Sequence, residues 1–86
     1  MKLLLSILDD RSASRVADAL VAKRYGVTRI NTVGGFLKRG NATLLVGVED
    51  SQVDEAITVM REAYGHAGEE QTGPVFVLPV AEGQRM

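Results

Sequence analysis

Three stretches of this chain are apolar at nearly every consecutive position rather than at every second one. They are KLLLSIL at residues 2–8, ATLLVGV at 42–48 and VFVLPV at 75–80. A strand with one solvated face alternates polar and apolar residues, so these runs predict strands that are buried on both faces. A chain of 86 residues cannot supply a further layer of its own to cover the second face. We therefore expect that face to pack against other copies of the chain in a closed, symmetric oligomer.

The segment before the first glycine has the spacing of an amphipathic helix. Asp10 or Ser12 is the expected N-cap, and Gly26 is the expected C′ residue after a helix that reaches about Tyr25. The apolar face recurs at helical intervals, and it consists of Ala13, Val16, Ala17, Leu20 and Val21.

A second amphipathic helix is predicted after the middle strand. Asp50 or Ser51 is its expected N-cap, with Asp54 placed to complete a capping box with Ser51, and it ends near residues 64–65. Its apolar face consists of Val53, Ala56, Ile57, Met60 and Ala63.

Residues 27–50 form the most informative stretch of the sequence. An opening strand that begins at Val27 and the closing strand at 42–48 predict an antiparallel hairpin. The linking segment GGFLKRGN at 34–41 is longer than a hairpin needs, and it contains the apolar pair Phe36 and Leu37 between glycines and cations. Two interpretations stay open from the residues alone: the rim of a ligand pocket, or a long hairpin whose Phe36 folds back onto the core.

The order strand, helix, strand, strand, helix, strand predicts an α+β, ferredoxin-like βαββαβ fold. In that plan two helices cover one face of a four-stranded antiparallel sheet. The two prolines of the last strand indicate either an edge position or the ends of the strand. We expect residues 1–86 to form a single domain of this kind.

Composition excludes several functions. The formal net charge of −1 argues against a protein that coats a nucleic acid polymer, and the absence of cysteine excludes disulfides and thiolate metal sites. The single histidine, His66, has no second ligand near it for a metal, and Ser12 and Ser14 have no base partner at a recognisable spacing. We expect neither an enzyme, nor a cofactor, nor membrane insertion, and we expect a cytoplasmic protein that receives a small ligand.

The residues also carry a resemblance. The run TVGGFLKRGN at 32–41, the threonines Thr28 and Thr43, the pair Gly47-Val48, VDEAI at 53–57 and VFVLPV at 75–80 resemble the PII-like cyclic di-AMP receptor family. The resemblance spans residues 1 to about 65 and the last strand. It implies a ferredoxin-like homotrimer that binds a nucleotide in clefts between subunits and signals to a protein target.

The resemblance also implies a set of ligand contacts. Backbone and apolar contacts would come from glycines and apolar residues, and hydrogen bonds from Thr28 and Asn41. The residues are Thr28, Gly35, Phe36, Leu37, Asn41 and Gly47, with Phe76 contributed by the last strand of the adjacent subunit.

Two departures from the family bear on the ligand. Members commonly have an arginine that stacks on adenine where this chain has Gly26, for which Arg24 or Arg29 are possible substitutes, and their connector before the last strand is longer. Three functions therefore stay open: a cyclic di-AMP receptor, a PII-like sensor of an adenine nucleotide or an anion, and a ligand-free regulatory or structural trimer.

Overall fold

The structure is a computed structural model, and it describes residues 1–31, 41–65 and 74–81. The described elements follow the order βαββαβ, which confirms the predicted ferredoxin-like fold. They are β1 (Lys2–Asp9), α1 (Asp10–Ala22), β2 (Gly26–Asn31), β3 (Asn41–Val48), a single 3-10 turn (Asp50–Gln52), α2 (Val53–Tyr64) and β4 (Val75–Pro79). All pairs in the four-stranded sheet are antiparallel, in the order β2-β3-β1-β4, so β4 is an edge strand, which is one of the two predicted alternatives.

One face of the sheet is covered by both helices. Alternate residues of β1 and β3 point into this layer and are buried there, because successive side chains of a strand face opposite sides. They meet the apolar faces of α1 and α2, including the fully buried Leu20 and the nearly buried Met60. The buried strand residues are Leu4, Ser6, Leu8, Ala42, Leu44, Val46 and Val48.

The opposite face, called here the open face, has no covering element among the described residues. It is nevertheless mostly apolar, which confirms the prediction drawn from the continuous apolar runs. At its edges Ile30, Phe76 and Leu78 are 44%, 51% and 41% exposed. Its other described apolar side chains, which are partly buried by their neighbours, are Leu3, Leu5, Ile7 and Leu45.

Helix α1 begins one residue before the positions predicted from sequence. Asp9, the last residue of β1, is the N-cap, and its carboxylate accepts a hydrogen bond of 3.1 Å from the backbone N–H of Ser12. Neither Asp10 nor Ser12 is the cap. An aspartate at N-cap satisfies one of the otherwise unpaired N–H groups of the first turn, so the strand passes directly into the helix.

The prediction that Gly26 ends α1 as its C′ residue is wrong. The C′ position belongs to Arg24, which has a φ of 70° and is the one described non-glycine residue with positive φ. The N–H groups of Arg24 and Tyr25 bond to the carbonyls of Val21 and Leu20 at 2.9 and 3.0 Å, which is a Schellman motif. The core sets this register, because Tyr25 has to follow the turn immediately to pack beside Leu20. Val21, predicted on the apolar face, is 60% exposed.

Helix α2 is preceded by a turn whose cap also differs from the prediction. The capping box joins Glu49 and Gln52, not Ser51 and Asp54, and the Gln52 side chain accepts a 2.9 Å bond from the Glu49 N–H. The predicted end of α2 is confirmed, with Gly65 as C-cap at a φ of 80°.

A buried hydroxyl fixes the start of β4. Ser6, which is 1% exposed beneath the helices, donates a 2.7 Å hydrogen bond to the carbonyl of Pro74. This bond holds the chain where it enters the edge strand, one residue before the ladder with β1 begins at Val75.

Candidate ligand-binding face

The described candidate residues Thr28, Asn41 and Gly47 all belong to the open face of the β2–β3 pair. The register places Thr28 opposite Leu45 and Gly47 opposite Gly26, and Asn41 stands opposite Asp9 of β1. Side chains at every second position of a strand share one face, so these residues are on the face that points away from the helical layer. The folding of β2 and β3 into one ladder therefore puts the three candidates on a common surface.

That surface is a strip rather than a single point. Asn41 and Gly47 lie near opposite ends of β3, roughly 20 Å apart at the usual rise per strand residue. Thr28 lies between them along the strand direction, on the neighbouring strand at the edge of the sheet. The described part of one chain thus spreads its polar candidates along the strip instead of gathering them in one pocket.

The end of the strip nearest Gly47 is bare backbone. Gly26 and Gly47 are direct cross-strand partners, and both are exposed. A Cβ placed on Gly26 would meet nothing within 4 Å, and one on Gly47 would meet the Met1 thioether methyl at 3.4 Å. Neither glycine has positive φ. Glycine inside a strand without a conformational need often marks a place where a ligand or another backbone approaches closely.

Phe76 lies on the same open face at the opposite edge of the sheet. One cross-sheet row runs from Thr28 through Leu45 and Leu5 to Phe76. Three strand spacings of about 4.8 Å separate the ends of this row, which puts Thr28 and Phe76 roughly 14 Å apart. A single chain therefore does not bring Phe76 to the β2–β3 strip.

The candidates Gly35, Phe36 and Leu37 lie outside the described residues. The same is true of the cations that follow them in the linking segment and of His66 in the connector before β4.

Arg29 is ruled out as a substitute for an arginine at position 26. It belongs to the helix-facing set of β2, and its guanidinium donates to the Ser14 hydroxyl at 2.8 Å and lies 3.3 Å from the Asp10 carboxylate. It also donates to the Asn31 side chain at 3.0 Å. These bonds tie the edge strand to α1 and direct the charge away from the open face. The sequence already indicated this direction, because Arg29 follows Thr28 directly and successive side chains of a strand point to opposite faces of the sheet.

The turn before Gly26 is held from two sides. The Schellman bonds fix it to α1, and the phenol of the buried Tyr25 donates a hydrogen bond to the Glu55 carboxylate on α2. That hydrogen bond raises the pKa of Tyr25, with burial contributing in the same direction. The start of β2, and with it the glycine pair, is thereby locked to the helical layer.

The chemistry offered by this face is recognition through backbone, hydroxyl, amide and apolar groups. Among residues 1–31, 41–65 and 74–81, no group of three or more histidine, cysteine, aspartate or glutamate side chains is arranged to hold a metal ion. Within the same ranges, no helix is both long and apolar enough to cross a membrane.

The fold and this face define a small ferredoxin-like protein with a mostly apolar open sheet. A solved structure whose title reads "The crystal structure of a functionally unknown protein from Pediococcus pentosaceus ATCC 25745" is similar to it. The two chains share 28% sequence identity at a TM-score of 0.78, over 99% of this chain and 96% of that one. The sequence profile described as "Cyclic-di-AMP receptor" matches residues 1–84. The chain therefore belongs to the cyclic-di-AMP receptor family, a family of receptors rather than enzymes, as the motif resemblance predicted.

Proposed function

We propose that this protein is a PII-like signalling receptor that binds cyclic di-AMP in clefts between the subunits of a homotrimer and passes the signal to a protein partner. The proposal is supported by membership of the cyclic-di-AMP receptor family over nearly the whole chain. It is also supported by the position of the described candidates Thr28, Asn41, Gly47 and Phe76, which lie on the open face and not in the helical layer.

One observation favours a cleft made by more than one copy. Thr28 and Phe76 lie at opposite edges of the same face, roughly 14 Å apart. A ligand that contacts both within a short distance needs the β4 edge of one subunit beside the β2 edge of another. The apolar residues of the open face supply the surface that such an assembly buries.

In this proposal each candidate residue has a defined role. The Thr28 hydroxyl and the Asn41 amide donate and accept hydrogen bonds at base edges or phosphate oxygens. Gly35 and Gly47 admit the ligand against the backbone, and Phe36 and Leu37 form an apolar wall. Phe76 of the adjacent subunit closes the site against a base.

A second candidate ligand is an adenine mononucleotide or a small anion bound by the same face. The exposed, bare Gly26 favours it, because a side chain that covers a purine is absent from this position. Stacking of a guanidinium on a base contributes about 0.5–2 kcal/mol. We therefore expect cyclic di-AMP to bind more weakly here than in members that have an arginine at this position.

The ligand is identified by thermal unfolding with cyclic di-AMP, cyclic di-GMP, ATP, ADP and AMP at equal concentrations. A ligand at 100 times its Kd stabilises the folded protein by about 2.7 kcal/mol, which is an easily measured shift of Tm. We expect cyclic di-AMP to give the largest shift. A larger shift with AMP or ATP transfers the proposal to the second candidate, and no shift with any nucleotide contradicts both.

Substitutions in the hairpin test the proposed site. We expect Asn41→Ala and Phe36→Ala each to lower the affinity for the effective nucleotide, since loss of a hydrogen bond or an apolar wall costs on the order of 1–3 kcal/mol. Calorimetric titration measures the affinity, and light scattering checks that the assembly is intact. Thr58→Ala is the control, because its hydroxyl bonds only to the Asp54 carbonyl on α2. Unchanged affinity in both hairpin variants would place the site elsewhere.

A further inference from the structure

The α1–β2 turn places an arginine where the backbone favours glycine. Arg24 has a φ of 70° at the C′ position of a Schellman motif. The left-handed conformation is unfavourable for an L-residue because of its Cβ, and glycine avoids this cost. A strained residue that glycine would relieve is a reason to look for a role of its side chain.

The Arg24 side chain has no role within the described part of the fold. It is exposed and makes no hydrogen bond or ion pair with any described residue. Arg29 differs, since its guanidinium is bonded to α1, and Arg15 differs as well, since its guanidinium donates to the Tyr64 carbonyl. No side-chain contact of Arg24 with a described residue therefore offsets its unfavourable backbone conformation.

The position of Arg24 links it to the candidate face. It precedes Gly26 by two residues, so their Cα atoms are at most about 7 Å apart. The bare Gly26–Gly47 pair begins there, and the Tyr25–Glu55 hydrogen bond fixes the backbone between the two positions. An exposed guanidinium on an immobilised turn is suited to bind an anionic group, because little conformational freedom of the backbone is lost on binding.

We propose that Arg24 is a ligand-binding residue of this face and donates to a phosphate oxygen of the bound nucleotide. This inference rests on the proposed function, and it gives Arg24 a contact with phosphate, unlike the arginine that stacks on adenine in members that have one at position 26. The turn holds the Arg24 backbone in the left-handed conformation two residues before Gly26, so a long side chain at this position can reach a phosphate of a ligand bound over the glycine pair.

The inference predicts opposite effects on stability and on binding for one substitution. Arg24→Gly relieves the left-handed strain, and we expect its Tm to rise by on the order of 5 °C. It also removes a charge-assisted hydrogen bond, and we expect its affinity for the phosphorylated ligand to fall about tenfold or more. Lys23→Ala is the matched control, since it removes the neighbouring charge at a residue with a φ of −92°. We expect it to leave both quantities near the parent values.

The test is a calorimetric titration of cyclic di-AMP, AMP and adenosine into the parent, Arg24→Gly and Lys23→Ala at low ionic strength. The expected result is that Arg24→Gly loses affinity for the two phosphorylated ligands and binds adenosine as the parent does. Equal affinities of Arg24→Gly and the parent for cyclic di-AMP and AMP would overturn the inference while the proposed function stands. An equal loss for adenosine would overturn the assignment to phosphate. A parent that binds none of the three overturns the proposed function and this inference together.

Discussion

At the scale of single residues, Gly26 is the position at which we expect a substitution to change the affinity for cyclic di-AMP most clearly. Its φ is not positive and a Cβ there meets nothing within 4 Å, so a Cβ at this position causes neither backbone strain nor a clash within the described part of the chain. The stability cost that a C′ glycine would have imposed on Gly26→Arg is therefore absent. The substitution therefore tests the affinity for the ligand separately from the stability of the fold.

We expect Gly26→Arg to bind cyclic di-AMP more tightly than the parent, because a guanidinium stacked on a purine adds about 0.5–2 kcal/mol. Calorimetric titration measures the gain, and Gly26→Ala is the control that adds bulk without charge. The expectation fails if Gly26→Arg and Gly26→Ala have the same affinity. A large loss in both would mean that the ligand lies directly on the glycine backbone.

Residue-scale features were only partly predictable from the sequence. The face of the sheet on which Thr28, Asn41 and Gly47 lie followed from the alternation of side chains along a strand. The structure places all three on one face. That Gly26 belongs to β2 and is not the C′ residue of α1 could not be predicted, because the end of a helix depends on which of the following residues packs into the core. Tyr25 enters the core immediately after the turn, and this requirement transfers the left-handed position to Arg24.

At the scale of elements, the join between β1 and α1 depends on one carboxylate. The hydrogen bonds from Ser12 to Asp9 lower the pKa of the Asp9 carboxyl below its ordinary value of 3.8. A group whose pKa is lower in the folded state contributes stability above its unfolded pKa and loses that contribution as the pH falls through the folded pKa.

Asp9→Ala is expected to lower the free energy of unfolding by about 1 kcal/mol at neutral pH, because an N-cap is lost. Asp9→Asn keeps a side-chain acceptor that does not titrate. We therefore expect the stability of the parent to fall more steeply than that of Asp9→Asn as the pH drops below about 4. Urea unfolding followed by circular dichroism at a series of pH values measures both. Parallel curves for the parent and Asp9→Asn would show that the Asp9 carboxylate does not contribute in this way.

Elements as such were more predictable than their ends. The spacing of apolar residues predicted the two helices and four strands, because the spacing in each segment depends on which of its faces is buried. The predicted N-caps were wrong for both helices: Asp9 is the N-cap of α1, and Gln52 is the N-cap of α2, after a 3-10 turn that Glu49 caps. Several adjacent aspartates and serines satisfy the rule for an N-cap, and only the geometry of the preceding strand decides among them.

At the scale of the whole molecule, the open face requires a partner surface. Phe76 and Leu78 are about half exposed at one edge, Ile30 is similarly exposed at the other, and most of the described residues between them are apolar. A homotrimer remains our prediction: this surface indicates that copies associate, and the family resemblance implies that there are three. Light scattering coupled to size exclusion should give three times the 9.3 kDa of one chain.

Leu5→Asp, in the middle of the open face, is expected to dissociate the assembly, because an unpaired buried carboxylate is costly. Val21→Asp makes the same chemical change at an exposed position on α1 and serves as control. A parent that runs as a well-behaved monomer would contradict both the packing argument and the intersubunit cleft. The need for a covering surface followed from the sequence, but the number of copies did not, since apolar burial has no intrinsic symmetry.

The alternation along β3 also has a genetic consequence. Its even-numbered residues hold the core and its odd-numbered residues form the open face, so the two sets can drift independently in evolution. A point mutation at an odd-numbered position leaves the core packing intact. The loss of a single codon in the middle of β3 would be different, because it exchanges the two sets on one side of the deletion. If the first half of the strand kept its register, Gly47 would face the helices. In the proposed site, a substitution at an odd-numbered position of β3 can therefore change ligand specificity without changing the core, whereas an insertion or deletion in the strand changes both.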